Sequence, residues 1–151
     1  MATPKFAWGI DIGNRALKAI KLVREQTEGL LKRAEIEVDL APEVIELLVT
    51  SFNDLRTGAT TEGVVLEKPT AVMSSAEAVS VGFAACLDAH YLGDGAVSGT
   101  HIARQLIGTV LKDNPDDGKK LSHYFDVVVK PRAQRQAQWK SMWEARRELN
   151  R

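Results

Sequence analysis

A chain of 151 residues with 44% hydrophobic and 26% charged residues is typical of one globular domain, or of two small lobes that bury each other. Lys plus Arg and Asp plus Glu number 20 each, so the overall charge gives no reason to expect binding to nucleic acid. The single Cys86 excludes an internal disulfide, and the sequence shows neither a signal peptide nor a membrane-spanning apolar run. We therefore expect a cytoplasmic protein.

The first forty residues have the pattern of β-strands. Residues 6–12 form an apolar run, and residues 17–23 and 30–40 alternate apolar with charged side chains. Glycine and asparagine at Gly13 and Asn14 favour a tight turn, and Gly29 favours a second one. This pattern predicts a three-stranded antiparallel β meander over residues 1–41.

After Pro42 the apolar residues recur at the helical period. The start and stop signals of the predicted helices are Pro42, Gly58, the capping box Ser74–Glu77, Gly93, Ser98, Pro115 and Pro131. A last basic helix follows Pro131. The fold class predicted for the chain is therefore α+β, with the β meander followed by a mainly α-helical bundle over residues 42–151.

The first predicted turn has side chains suited to a phosphate. A hairpin at Gly13 and Asn14 would let backbone amides face phosphate oxygens, while Asp11 could hold Mg²⁺ and Lys18 could add positive charge. These four residues are candidates for binding ATP and Mg²⁺, with Asp11 as the metal ligand. A plain tight turn between two strands favours the same residue types, so this structural alternative stays open.

At these positions residues 5–40 resemble the first phosphate loop of the actin-like ATPases, and more narrowly the start of the PilM family of type IV pilus assembly proteins. The resemblance implies an actin-like nucleotide site. Such a site also needs a second phosphate loop and a second lobe, and residues 41–151 contain no further Asp-x-Gly hairpin. Most of the actin-like site is therefore missing.

The second part of the chain resembles the C-terminal lid region of MoxR-like AAA+ ATPases. The matching stretches are residues 52–63, 74–81, 93–95, 108–113 and 139–148. The resemblance implies a helical lid that covers a nucleotide, but the chain has no Walker A or Walker B pattern. Residues 74–77 lack the arginine that such lids often carry at the start of a helix. Arg56 could instead face a phosphate in a neighbouring subunit, or it could be a solvated arginine at a helix end.

The tail from residue 131 combines basic residues with the apolar Trp139, Met142 and Trp143. Such a helix could lie on an anionic membrane surface, or its apolar stripe could pack on the rest of the chain. The three histidines lie on separate predicted helices without metal-binding spacing, so we expect packing or surface roles for them.

Together these observations suggest a chimera of two partial families. The sequence predicts a catalytically incomplete, ATPase-derived protein that binds a nucleotide weakly at most, or docks on a protein partner. That partner would be an AAA+ subunit or a component of pilus assembly. Two alternatives stay open: an AAA+ component that acts with a Walker-bearing partner, and a PilM-like pilus assembly factor.

Overall fold

The structure, a computed structural model, describes residues 5–71, 73–112 and 114–150, with side chains described from residue 15 onward. Seven α-helices occur in these ranges, together with a π-helical segment, Phe125–Val129, and a 3₁₀ segment, Ala145–Asn150. The helices are α1 Lys5–Arg33, α2 Pro42–Thr57, α3 Ser75–Leu92, α4 Gly99–Leu111, α5 Asp117–Tyr124, α6 Lys130–Ala133 and α7 Ala137–Glu144. None of the described helices is long and apolar enough to cross a membrane.

The predicted β meander, and with it the α+β fold class, is wrong. Helix α1 covers the region of the first two predicted strands and both predicted turns, and no strand occurs in the described residues. Only isolated bridges remain, such as the one that pairs Asp39 with Ala96. The first forty residues also carry a helical repeat, in which Val23, Thr27 and Leu31 recur every four residues and are buried. Packing on α3 and α2 favours this repeat over the strand-like alternation.

The helix signals after Pro42 agree with the structure more closely. Ser74 caps α3, since its hydroxyl oxygen accepts a hydrogen bond of 3.1 Å from the Glu77 amide. Pro131 was expected to end a helix but lies in α6. The π-helical segment ends just before this proline, where the Lys130 amide donates to the carbonyl of Phe125 five residues earlier. The wider turn changes the contacts of the proline ring with the preceding carbonyls and lets the chain remain helical.

Helix α2 lies at the centre of the core, and its residues Val44, Ile45, Leu47, Leu48 and Leu55 are almost completely buried. Helices α1, α3, α4 and α7 pack against one another in that order, and α2 contacts each of them. Because α1 packs on both α2 and α3, the residues before position 42 contribute to the same core. The division of the chain into domains near residue 41 stays a prediction.

The tail packs on the bundle. Met142 is fully buried, Trp139 is 5% exposed, and Trp143 is half-buried with the cations of Lys130 and Arg146 near its ring. The apolar stripe of the tail is thus used inside the chain. Binding of the basic tail to a membrane surface stays a prediction.

Helices α4 and α7 cross closely at Gly99. A Cβ atom at this position would overlap the Gln138 carbonyl oxygen and would lie 2.8 Å from the Met142 amide nitrogen. We expect Gly99→Ala to lower the free energy of unfolding by about 1–3 kcal/mol, because backbone atoms of α7 would have to move. Urea denaturation followed by circular dichroism measures this change.

The matched control is Gly108→Ala in the same helix, where a new Cβ atom would meet nothing within 4 Å. Alanine is the better helix former, so this variant should gain about 0.5–1 kcal/mol. Equal stability of the two variants would contradict the close crossing.

Candidate functional site

Asp11, Gly13, Asn14 and Lys18 all lie in α1. The hairpin that would present their amides to a phosphate is absent, because amides within an α-helix are bonded to carbonyls four residues earlier. The side chains of Asp11 and Asn14 lie outside the described part, and Lys18 is exposed. Binding of ATP or Mg²⁺ by these residues stays a prediction.

Arg56 lies near the end of α2 and is exposed. Its guanidinium donates to the side-chain oxygen of Asn53, and it lines a small recess with Ser74 and Ser75 at the start of α3. A helix N-terminus and a guanidinium both attract an anion. None of the described residues that line this recess is a carboxylate, so it suits contact with a phosphate oxygen better than binding of a metal ion. The structure thus places an arginine beside the helix start that lacks one of its own.

A partly buried network that the sequence did not predict is centred on Arg132. Its Nη1 donates to Asp54 Oδ2 at 2.8 Å, and its Nε and Nη2 donate to the two carboxylate oxygens of Glu62 at 3.1 and 2.8 Å. The Tyr124 hydroxyl donates to Asp54 Oδ2 at 3.0 Å, and the guanidinium carbon lies 4.6 Å from the centre of the Trp139 ring. One guanidinium thus joins α2, the loop after α2, α6 and α7.

The network shifts the pKa values of its members. Burial raises the pKa of Asp54, although the Arg132 charge and the hydrogen bonds from Arg132 and Tyr124 oppose this effect. The hydrogen bonds from Arg132 lower the pKa of Glu62 to about 2. Burial raises the pKa of Tyr124, so this residue stays a hydroxyl donor. Two carboxylates therefore share one arginine in the network.

A second cluster fixes the loop before α3 to the start of α5. Asp117 is fully buried and accepts hydrogen bonds from the Thr70 amide at 2.7 Å and the Thr70 hydroxyl at 2.6 Å. Lys120 lies 3.0 Å from its other oxygen. Burial works to raise the pKa of Asp117, but these contacts lower it overall. These contacts tie the loop to the helix start, so the cluster has a structural role.

An open cleft of about 780 Å³ lies between the start of α2 and the corner that joins α6 to α7. Glu43 and Glu46 line the α2 side, Arg135 lines the opposite side, and Glu62 and Arg132 bring the network to the wall. In the described ranges, no group of three or more His, Cys, Asp or Glu residues is arranged to hold a metal ion. The cleft is therefore a charged surface of mixed sign.

One signal in the sequence could have pointed to the network. Asp54 falls between Ser51 and Leu55 on the inward face of α2, where a charged residue needs a partner. The identity of that partner could not be predicted, because Arg132 is 78 residues away in the sequence and was counted only among the basic residues of the tail.

We expect Asp54→Asn to lower the free energy of unfolding by about 3 kcal/mol, since it leaves Arg132 partly buried without its inner carboxylate. Glu62→Gln is the matched control. The Glu62 side chain is 53% exposed, so losing its charge should cost about 1 kcal/mol or less. Urea unfolding of both variants at neutral pH measures the difference. An equal loss of unfolding free energy in the two variants would show that burial of Asp54 does not strengthen its ion pair with Arg132.

The pH dependence of stability tests the Glu62 contact. Because Glu62 has a lower pKa in the folded chain than the ordinary value of 4.5, its contribution is present above about pH 5 and is lost as the pH falls toward 2. Glu62→Gln should reduce this acid loss, which urea unfolding between pH 5 and pH 3 measures. Part of the loss remains, because Arg146 also lowers the pKa of Asp126. Unchanged pH dependence in the variant would exclude the contact.

The chain matches the YehL-like AAA+ ATPase C-terminal domain family over residues 18–150. It is 32% identical over 130 residues to the Escherichia coli (strain K12) protein called "Uncharacterized protein YehL". The aligned region covers 86% of this chain and 35% of that protein, so the chain spans about a third of the length of the curated relative. No solved structure matches the chain significantly.

These matches support the predicted resemblance to the C-terminal region of AAA+ ATPases. They give no support to the narrower MoxR resemblance, to the actin-like and PilM resemblance, or to the chimera. The family match begins at residue 18 and so includes the last sixteen residues of α1, which the sequence had assigned to the β meander. The chain belongs to the YehL-like AAA+ ATPase C-terminal domain family.

Proposed function

We propose that the chain acts as the lid-like C-terminal module of an AAA+ ATPase and does not hydrolyse ATP by itself. One observation carries the proposal: the family match covers nearly all of a helical bundle that has its own core. AAA+ hydrolysis needs Walker elements to hold the phosphates and Mg²⁺, and neither pattern occurs in the 151 residues. The Walker elements are then supplied by an ATPase core, in the same polypeptide or in a separate one.

Arg56 is the residue of the module proposed to face the nucleotide. It is exposed and lies beside the start of α3, and among the described residues its guanidinium bonds only to Asn53. The recess of about 20 Å³ is too small for a nucleotide. A phosphate of a nucleotide held by the core would therefore meet Arg56 at the mouth of the recess, where positive charge stabilises the charge that develops during phosphoryl transfer.

The test combines the full chain with Escherichia coli YehL from which the matching region has been deleted, and measures steady-state ATP hydrolysis. We expect no turnover from the chain alone and higher turnover from the mixture than from truncated YehL. Arg56→Ala should reduce this gain about 100-fold or more, because one phosphate-facing donor is lost.

The matched control is Arg33→Ala, which removes an exposed arginine from the end of α1. In the part of the chain that the structure describes, the side chain of Arg33 makes a hydrogen bond only to the Gly29 carbonyl. This variant should keep the gain in turnover. Saturable ATP hydrolysis by the chain alone, abolished by Asp11→Ala, would overturn the proposal and would favour the predicted phosphate site in α1. Titration calorimetry with magnesium ATP on the same samples measures direct binding.

A further inference from the structure

We propose that the cleft beside the start of α2 binds an extended segment of a protein partner that carries basic side chains and, a few residues away, an acidic one. Glu43 and Glu46 of the cleft lie at the start of α2, whereas Arg56 lies near its end. Arg56 comes thirteen positions after Glu43 in the helix, which corresponds to a rise of about 20 Å. The carboxylate side of the cleft is therefore distant from the proposed contact with nucleotide.

The α2 side of the cleft presents two free carboxylates. Glu43 and Glu46 are three residues apart, so they lie on the same face of the helix, and both are exposed. In the part of the chain that the structure describes, neither carboxylate takes part in an ion pair or a side-chain hydrogen bond. Two neighbouring carboxylates repel each other, and cations from a partner would relieve that repulsion.

The opposite side presents one free cation. Arg135 is exposed, and within the described residues its guanidinium has no partner. Arg132 lies beside it, but its donors are already bonded to Asp54 and Glu62. The cleft thus offers two carboxylates on one wall and one guanidinium on the other. This arrangement disfavours nucleic acid, whose phosphates would meet Glu43 and Glu46, and it favours a segment of mixed charge.

The lining of the cleft fits a protein segment better than an apolar small molecule. Small-molecule sites are mostly apolar, whereas here the largest apolar side chain, Trp139, is almost entirely buried beneath Arg132. Thr61 and Gln138 add uncharged groups that can bond to the backbone of an extended peptide. The volume of about 780 Å³ gives room for several residues of such a peptide.

The Arg132 network also holds the walls of the cleft in place. It links Asp54 in α2 to Glu62 in the loop and to Trp139 in α7, so the surface is ordered before a partner arrives. Order in the free protein lowers the entropy lost on binding. Exposed ion pairs contribute only about 0.2–1 kcal/mol each, so we expect weak binding that depends strongly on salt.

The test uses fluorescence anisotropy with a labelled peptide in which two adjacent lysines are separated by two glycines from one glutamate. We expect the full chain to bind this peptide at low salt. Glu43→Lys combined with Glu46→Lys should weaken binding at least about 10-fold, because attraction becomes repulsion. Adding Arg135→Glu to these two changes should reverse the charge preference of the cleft. The triple variant should then bind a peptide in which the two lysines are replaced by glutamates and the glutamate by lysine.

The matched control combines Glu25→Lys with Glu28→Lys. These two exposed carboxylates have the same spacing but lie on α1, outside the cleft. The control should bind the original peptide within about twofold of the unchanged chain, and Arg56→Ala should bind it equally well. Retained peptide binding together with failed stimulation of truncated YehL would overturn the proposed ATPase role and leave the cleft intact.

Two results would overturn the docking proposal. The first is no binding at millimolar peptide by a chain whose circular dichroism shows that it is folded. The second is an equal loss of affinity in the α1 control and in the Glu43 and Glu46 variant. That result would show that peptide affinity depends on the net charge of the chain and not on the cleft.

Discussion

The contact between Asp54 and Arg132 is the interaction on which the second half of the structure depends. A carboxylate taken out of water at the inner face of α2 requires a cation, and the chain supplies one from a residue 78 positions later. Arg132 in turn requires acceptors for its other donors, which Glu62 provides, and its flat face packs on Trp139. The loop after α2 and helix α7 are positioned by the same side chain.

The helices after Pro42 could be predicted because the signals that specify them lie within each helix and its immediate neighbours in the sequence. Apolar residues at the helical period and a cap such as Ser74 with Glu77 specify the type and the start of an element without knowledge of its neighbours. The network and the cleft could not be predicted, because their members come from α2, the following loop, α6 and α7. Periodicity indicates which face of a helix is buried, but it does not identify the residue that the face meets.

The error in the first forty residues has a physical cause. A stretch that alternates apolar and charged residues can also place buried residues every four positions, and here the apolar Val23 and Leu31 stand on either side of the buried Thr27. Contacts with α3 favour the helical pattern over the strand pattern. They do so although Gly29, inside α1, lowers the stability of the helix. The resemblance to actin-like ATPases strengthened the wrong prediction. The resemblance to the C-terminal region of AAA+ ATPases is confirmed at family level, while the narrower assignments to MoxR and to pilus assembly stay predictions.

The π-helical segment has a consequence for residues beyond it. An α-helix turns about 100° per residue, so a wider turn at Phe125–Val129 changes the angular phase of every residue that follows. Pro131 and Arg132 come directly after this change. The direction in which Arg132 points is therefore fixed by backbone geometry one turn earlier in the chain. A substitution that converts the wide turn to an ordinary one would rotate the guanidinium away from Asp54 without altering either partner.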